Sequence, residues 1–273
     1  MTQVIAILFL LTTTLAAQNY PWHESYDSTR SIVTQIAPPD GYTRQSVEAG
    51  SFAAWLRGLP LLADGTPVLL HDGQRKGRQD VHAAVVDIDI GRRDLQQCAD
   101  AVMRLRAEYL YSKQQYDLIT FNYTSGDHVP FSRWIDGERP VVQGNDVIWK
   151  GANATGSSYS QFRRYLQQIF IYAGTASLSR ELKPVHSLAE VEIGDVFIQG
   201  GFPGHAVIVL DLAMDTAGKK MMLLAQSYMP AQNIHILVNK TDGDVSPWYD
   251  TEFGDILYTP EWTFKSTDLR RFE

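Results

Sequence analysis

The chain has 273 residues, with 24 Lys plus Arg against 31 Asp plus Glu, for a formal net charge of −7. At 44% hydrophobic and 20% charged it is too apolar and too sparsely charged for a disordered chain. Its acidic balance counts against broad binding to nucleic acid or an anionic membrane. Its single cysteine excludes an internal disulfide framework and any Cys-rich zinc module.

In chain order, the apolar run from Val4 to Leu11, with Ala16 and Ala17 behind it, fits a signal peptide over residues 1–17. The run is too short to span a bilayer, and no later segment is long enough. The expected product is an exported, soluble protein, periplasmic or extracellular, with no stable membrane insertion after cleavage. Residues 18–273 then form a single α+β domain that opens on an extended N-terminal segment, 18–45. Ser51 and Gly58 bracket a short helix, with Pro60 behind it. Residues 68–71 and 81–90 are predicted strands.

Leu95, Cys98, Val102, Leu105 and Tyr109 recur at helical spacing, which predicts a helix over 94–111 with Asp94 as its cap. A second helix is expected over 159–172, after a Gly/Ser/Asn-rich loop at 143–160 of the kind that forms lids and binding edges. Five short strands follow, at 195–199, 205–211, 221–228, 234–238 and 255–258, with a hairpin turn at 215–219. Helices early and antiparallel strands late give α+β rather than doubly wound α/β.

Three segments carry candidate chemistry. Cys98 lies about one turn into its predicted helix, where the positive end of the dipole favours a thiolate. It also lies on the apolar stripe with Leu95 and Val102, and spacing alone favours a core cysteine. His205 begins a strand after the glycine-rich loop 200–204 and shares a face with Val207, Val209 and Asp211. Across the hairpin it falls opposite Gln226 or Tyr228, so a polar neighbour can fix its tautomer. His71, His82, Asp87 and Asp89 show no metal-ligand spacing, and His82 faces away from the two aspartates. No metal and no cofactor are expected. Asn122, Asn153 and Asn239 begin glycosylation-type triplets.

Gln97-Cys98-Ala99-Asp100, Gly194-Asp195-Val196-Phe197-Ile198, Gly204-His205-Ala206-Val207-Ile208-Val209 and Ala225-Gln226-Ser227 together resemble the NlpC/P60 and CHAP superfamily. Its members are papain-like cysteine peptidases and amidases acting on bacterial cell walls. The resemblance implies a papain-like core, Cys98 as nucleophile, His205 as base and Gln226 as the residue that orients it. Trp134, Tyr228 and Gly204 are the expected substrate contacts, and peptidoglycan fragments the expected partner. Two departures stand out: Cys98 falls deeper in its predicted helix than a nucleophile does, and an extra helix separates it from His205. Over its whole length the chain is similar to a family of secreted bacterial proteins defined by a domain of unknown function. The competing expectation is a non-catalytic glycan- or peptide-binding protein on the same fold, using the 143–160 loop.

Overall fold

A single antiparallel sheet orders the molecule. The computed structural model describes residues 19–144, 146–151 and 153–273; the expected signal peptide lies outside them. Among these residues there are six α-helices: α1 (Ile32–Gln35), α2 (Phe52–Arg57), α3 (Cys98–Ser112), α4 (Phe131–Ile135), α5 (Tyr159–Tyr172) and α6 (Thr175–Glu181). The nine strands of the main sheet are β1 (Thr43–Arg44), β2 (His82–Val85), β3 (Lys183–Pro184), β4 (Val196–Gln199), β5 (His205–Met214), β6 (Lys220–Gln226), β7 (His235–Leu237), β8 (Trp248–Asp250) and β9 (Leu269–Arg271). Their order is β2-β7-β6-β5-β4-β9-β3, with β1 also on β5 and β8 on β6. The fold is α+β. No helix among the described residues is long and apolar enough to cross a membrane.

β5 and β6 are almost wholly buried, so they read as continuous apolar runs instead of alternating ones. The cause is cover on both faces. Ala206, Ile208 and Leu210 join the larger core, which contains the helices. Val207, Val209, Met222 and Leu224 join a second core with Tyr249, Leu257 and Phe264. Leu257 and Phe264 come from a hairpin of Ile256–Tyr258 with Thr263–Lys265.

A bulge in β5 decides what each face carries. Leu224 pairs with Val209 and Leu223 with Asp211, leaving Leu210 as the extra residue. Asp211 was expected to share the His205 face. The bulge turns it to the helix side, opposite Leu223, where it is fully buried. Arg44 Nε meets its Oδ2 at 2.6 Å and Arg57 Nε its Oδ1 at 2.7 Å. One carboxylate thus pins β1 and α2 to the centre of the sheet.

α3 is buried on more than its predicted apolar stripe. Arg104 and Glu108, one turn apart, are both fully buried and meet at 2.7 Å. Gln96 and the Asp89 carbonyl accept from Arg104, and the Tyr159 hydroxyl donates to Glu108 at 2.8 Å. This polar seam locks α5 and the Asp89 turn onto α3.

Several expected elements differ. Residues 68–71 form no strand, because Leu69 and Leu70 make only isolated bridges to Arg75 and Gln232. The strand at 81–90 is confined to β2. The 143–160 loop is shorter than expected: Arg139–Gln143 pairs with Asp146–Lys150 in a hairpin. Of the expected extended segment 18–45, the described residues 19–45 are not wholly extended, since they contain α1 and a 3₁₀ turn at Ser28–Arg30.

Replacing Asp211 strands two part-buried guanidinium groups. Asp211→Ala is expected to lower unfolding free energy by about 3 kcal/mol or more. Urea denaturation checks this, and a loss below about 1 kcal/mol would contradict the pinning role.

Candidate active site

α3 begins at Cys98, with Gln97 as its N-cap. Asp94, the expected cap, is committed elsewhere: its Oδ1 accepts from the Ala231 amide at 2.7 Å and from Gln97 Nε2 at 3.0 Å. Asp100 instead reaches back, its Oδ2 accepting the Gln97 amide at 3.0 Å. The expected depth of Cys98 is therefore corrected. It is the first helical residue, at the positive end of a 15-residue helix.

The Cys98 sulfur is buried, and the backbone N–H groups of Ala99, Ala206 and Cys98 itself favour its thiolate. Ala206 follows His205 in β5, so the helix terminus abuts the start of that strand. Burial pushes the thiol up to about 11, and Asp100 acts in the same direction. Complete burial also holds the Asp100 carboxyl well above the usual carboxylate range, which weakens its charge and leaves desolvation as the main force on the thiol. The helix terminus and the three amides pull the other way, and burial prevails.

His205 and Gln226 come together as expected: His205 Nε2 lies 2.7 Å from Gln226 Oε1. The imidazole packs against Tyr228 and Trp262, at ring separations of 4.8 and 5.3 Å. Burial pushes it down to about 4, with the nearby Lys76 charge adding to the effect. The resting site therefore holds a neutral thiol and a neutral imidazole. Among the described residues, no hydrogen bond joins the Cys98 thiol to His205.

Cys98 lines a cavity of about 710 Å³ with Gln97, Thr175, Phe202, Gly204 and Met229. Phe202 is almost fully exposed and Met229 half-exposed, an apolar rim at the mouth. Gly204 is required by close approach. A Cβ there would stand 2.4 Å from Thr175 Oγ1 and 2.5 Å from the Gly201 carbonyl oxygen. Of the expected substrate contacts, Gly204 lines this cavity and Tyr228 packs on the His205 ring. Trp134 does neither. It is buried in α4, its ring 5.9 Å from Tyr165, its Nε1 donating to Gln161 and the Arg139 guanidinium 3.9 Å above it.

Behind Gln226 lies a buried polar cluster that the sequence did not disclose. Gln226 Nε2 donates to Glu261 Oε2 at 2.8 Å and lies 3.3 Å from His235 Nε2. Glu261 Oε1 meets Lys76 Nζ at 2.8 Å, and that ammonium sits 5.0 Å over the Tyr228 ring. Burial pushes His235 down to about 3. Lys76 lies in a charged stretch, and Glu261 follows a proline, so each reads locally as a solvated turn residue. Only the tertiary fold brings them inside.

Two of the other singled-out residues have structural partners. Asp89 pairs with Arg163 and Arg104, and His82 Nε2 meets the Thr66 carbonyl. Among the described residues, no three His, Cys, Asp or Glu side chains group so as to hold a metal ion. Asn239 is buried, its amide donating to the Trp248 carbonyl, so that triplet is not an accessible acceptor.

The family model described as Domain of unknown function (4846) matches residues 32–271, and the chain belongs to that family. No curated protein and no solved structure matches it.

The two depressed imidazoles make stability depend on pH. Their folded values lie below the unfolded one, so this contribution is complete above about pH 6.5 and is lost as pH falls through the folded values. For His205 the loss between pH 6.5 and 4 is on the order of 3 kcal/mol. Urea midpoints should fall across that window, and fall less in His235→Asn. A flat profile from pH 7 to 4 would contradict the burial of both rings.

Proposed function

We propose that this member of the family is an exported cysteine hydrolase cutting amide bonds, with the peptides of the bacterial cell wall as its substrate class. The observation that carries the reading is a juxtaposition: a cysteine that opens a long helix and lines a cavity, beside the strand whose first residue, His205, is already bound to a glutamine. Together with the resemblance in sequence, this order of helix-borne thiol, strand-borne imidazole and orienting amide favours a papain-like core. The N-terminal apolar run favours export.

Since both groups rest neutral, the chemistry proceeds by general-base attack and not from a preformed ion pair. The substrate carbonyl enters the cavity over the α3 N-terminus. Cys98 sulfur bonds to the carbonyl carbon while the thiol proton passes to His205. The carbonyl π electrons move to oxygen, and N–H groups at the helix terminus stabilise the oxyanion. Collapse of that intermediate breaks the C–N bond. His205 returns the proton to the leaving amine, and a thioester remains on Cys98. Water, activated by the same imidazole, then releases the acid and the thiol. Phe202 and Met229 at the mouth suit apolar parts of the substrate.

A second reading has its own support. A thiol held at about 11 without a hydrogen bond to His205 is also what a buried core cysteine in a binding protein would show.

Incubation with purified cell-wall peptides separates the two. The wild type should release new amine and acid ends, and Cys98→Ala should lose this by about a thousandfold or more. With the base ready above about pH 4, the acidic limb of kcat/KM should fall near 4 and not near 6.5. Turnover that persists in Cys98→Ala, or binding of the peptides with no cleavage, would overturn the hydrolase.

A further inference from the structure

We propose that Glu261, clamped by Lys76, sets the tautomer of His205 through Gln226, and so acts as a positioning residue for the site. The inference rests on the hydrolase reading only in the use it assigns to the histidine. The tautomer itself follows from donor and acceptor chemistry.

The assignment starts at the outer end of the cluster. Glu261 is a carboxylate paired with Lys76 at 2.8 Å, so Glu261 Oε2 can only accept. The Gln226 terminal atom 2.8 Å from it must therefore be the amide nitrogen. The opposite orientation would set a carbonyl oxygen against a carboxylate oxygen in a buried space, two acceptors without a proton between them.

His235 enforces the same orientation from the other side. Its Nδ1 lies 2.9 Å from the Asn233 carbonyl, which accepts, so Nδ1 carries the proton. In the neutral ring the lone pair is then on Nε2, the atom 3.3 Å from the Gln226 amide nitrogen. One NH₂ group thus serves two acceptors. Gln226 Oε1 is left facing His205 Nε2 at 2.7 Å, and an oxygen acceptor there requires Nε2–H.

A neutral His205 holding its proton on Nε2 presents its basic lone pair at Nδ1. On the hydrolase reading, that nitrogen takes the proton from a substrate-engaged thiol. With the opposite tautomer, Nδ1 would be a donor and the base would be lost. The charged pair behind Gln226 thus decides which nitrogen of the imidazole is basic. Lys76 contributes twice, by fixing the carboxylate and by stacking over Tyr228, whose ring is in turn against His205.

The test is nitrogen-15 NMR of histidine-labelled full-length protein at pH 7, with the His205 signals identified by their loss in His205→Gln. The wild type should show the Nε2–H tautomer. Glu261→Gln, whose amide can face Gln226 with either end, should raise the Nδ1–H population by about fivefold, the ratio set by a hydrogen bond of ordinary net strength. Lys76→Arg, which keeps the cation, should stay like the wild type. An Nδ1–H tautomer in the wild type would overturn the proposal without any variant. So would an unchanged tautomer in folded Glu261→Gln. A Glu261-dependent tautomer beside a catalytically inert Cys98 would uphold the positioning and remove the hydrolase. Cleavage with a tautomer indifferent to Glu261 would do the reverse.

Discussion

Between Val209 and Asp211, β5 carries one residue more than β6 opposite it, and that register shift assigns side chains to the two faces of the sheet. Below the bulge, His205, Val207 and Val209 point to the second core, where Gln226 from β6 reaches the imidazole. Above it, Asp211 points to the helices and gathers Arg44 and Arg57. A one-residue slip would exchange these faces. It would put the histidine among helix side chains and the aspartate among Phe264, Leu257 and Tyr249. The polar pair at one end of β5 and the ion triad further along are therefore fixed by the same pairing.

The site combines opposing forces on two groups. Cys98 has a helix terminus and three amides that favour a thiolate, yet burial holds it protonated. His205 has a glutamine that supports the charged ring, yet burial keeps it neutral. In both cases desolvation exceeds the local dipoles, which is expected where water is excluded on nearly all sides. In the proposed reaction, a substrate carbonyl over the α3 N-terminus changes that balance by supplying an oxygen on which charge can develop. The neutral resting state also protects a lone thiol, since oxidation requires thiolate.

How much of this was legible in the sequence follows from how local each cause is. Alternation and apolar runs located β4 to β7, and the hairpin turn brought His205 near Gln226. Helical spacing found α3 and α5. The start of α3 was misplaced because Asp94 is a good cap locally but is claimed by the Ala231 amide, 137 residues away. The bulge leaves no trace, since one extra residue inside an apolar run does not alter its composition. Trp134, an expected substrate contact, packs instead against α5 through a helix pairing that no spacing shows. Lys76 and Glu261 are charged residues in turn-like contexts, and only their mutual approach makes them buried.

The proposed hydrolase requires a covalent acyl intermediate on Cys98. Intact-mass analysis of the protein rapidly quenched during incubation with cell-wall peptides tests it most directly. An adduct of acyl mass on Cys98, released by hydroxylamine and absent in Cys98→Ala, is the expected result. Peptide cleavage with no adduct in wild-type protein, even when deacylation is slowed by low temperature, would contradict it.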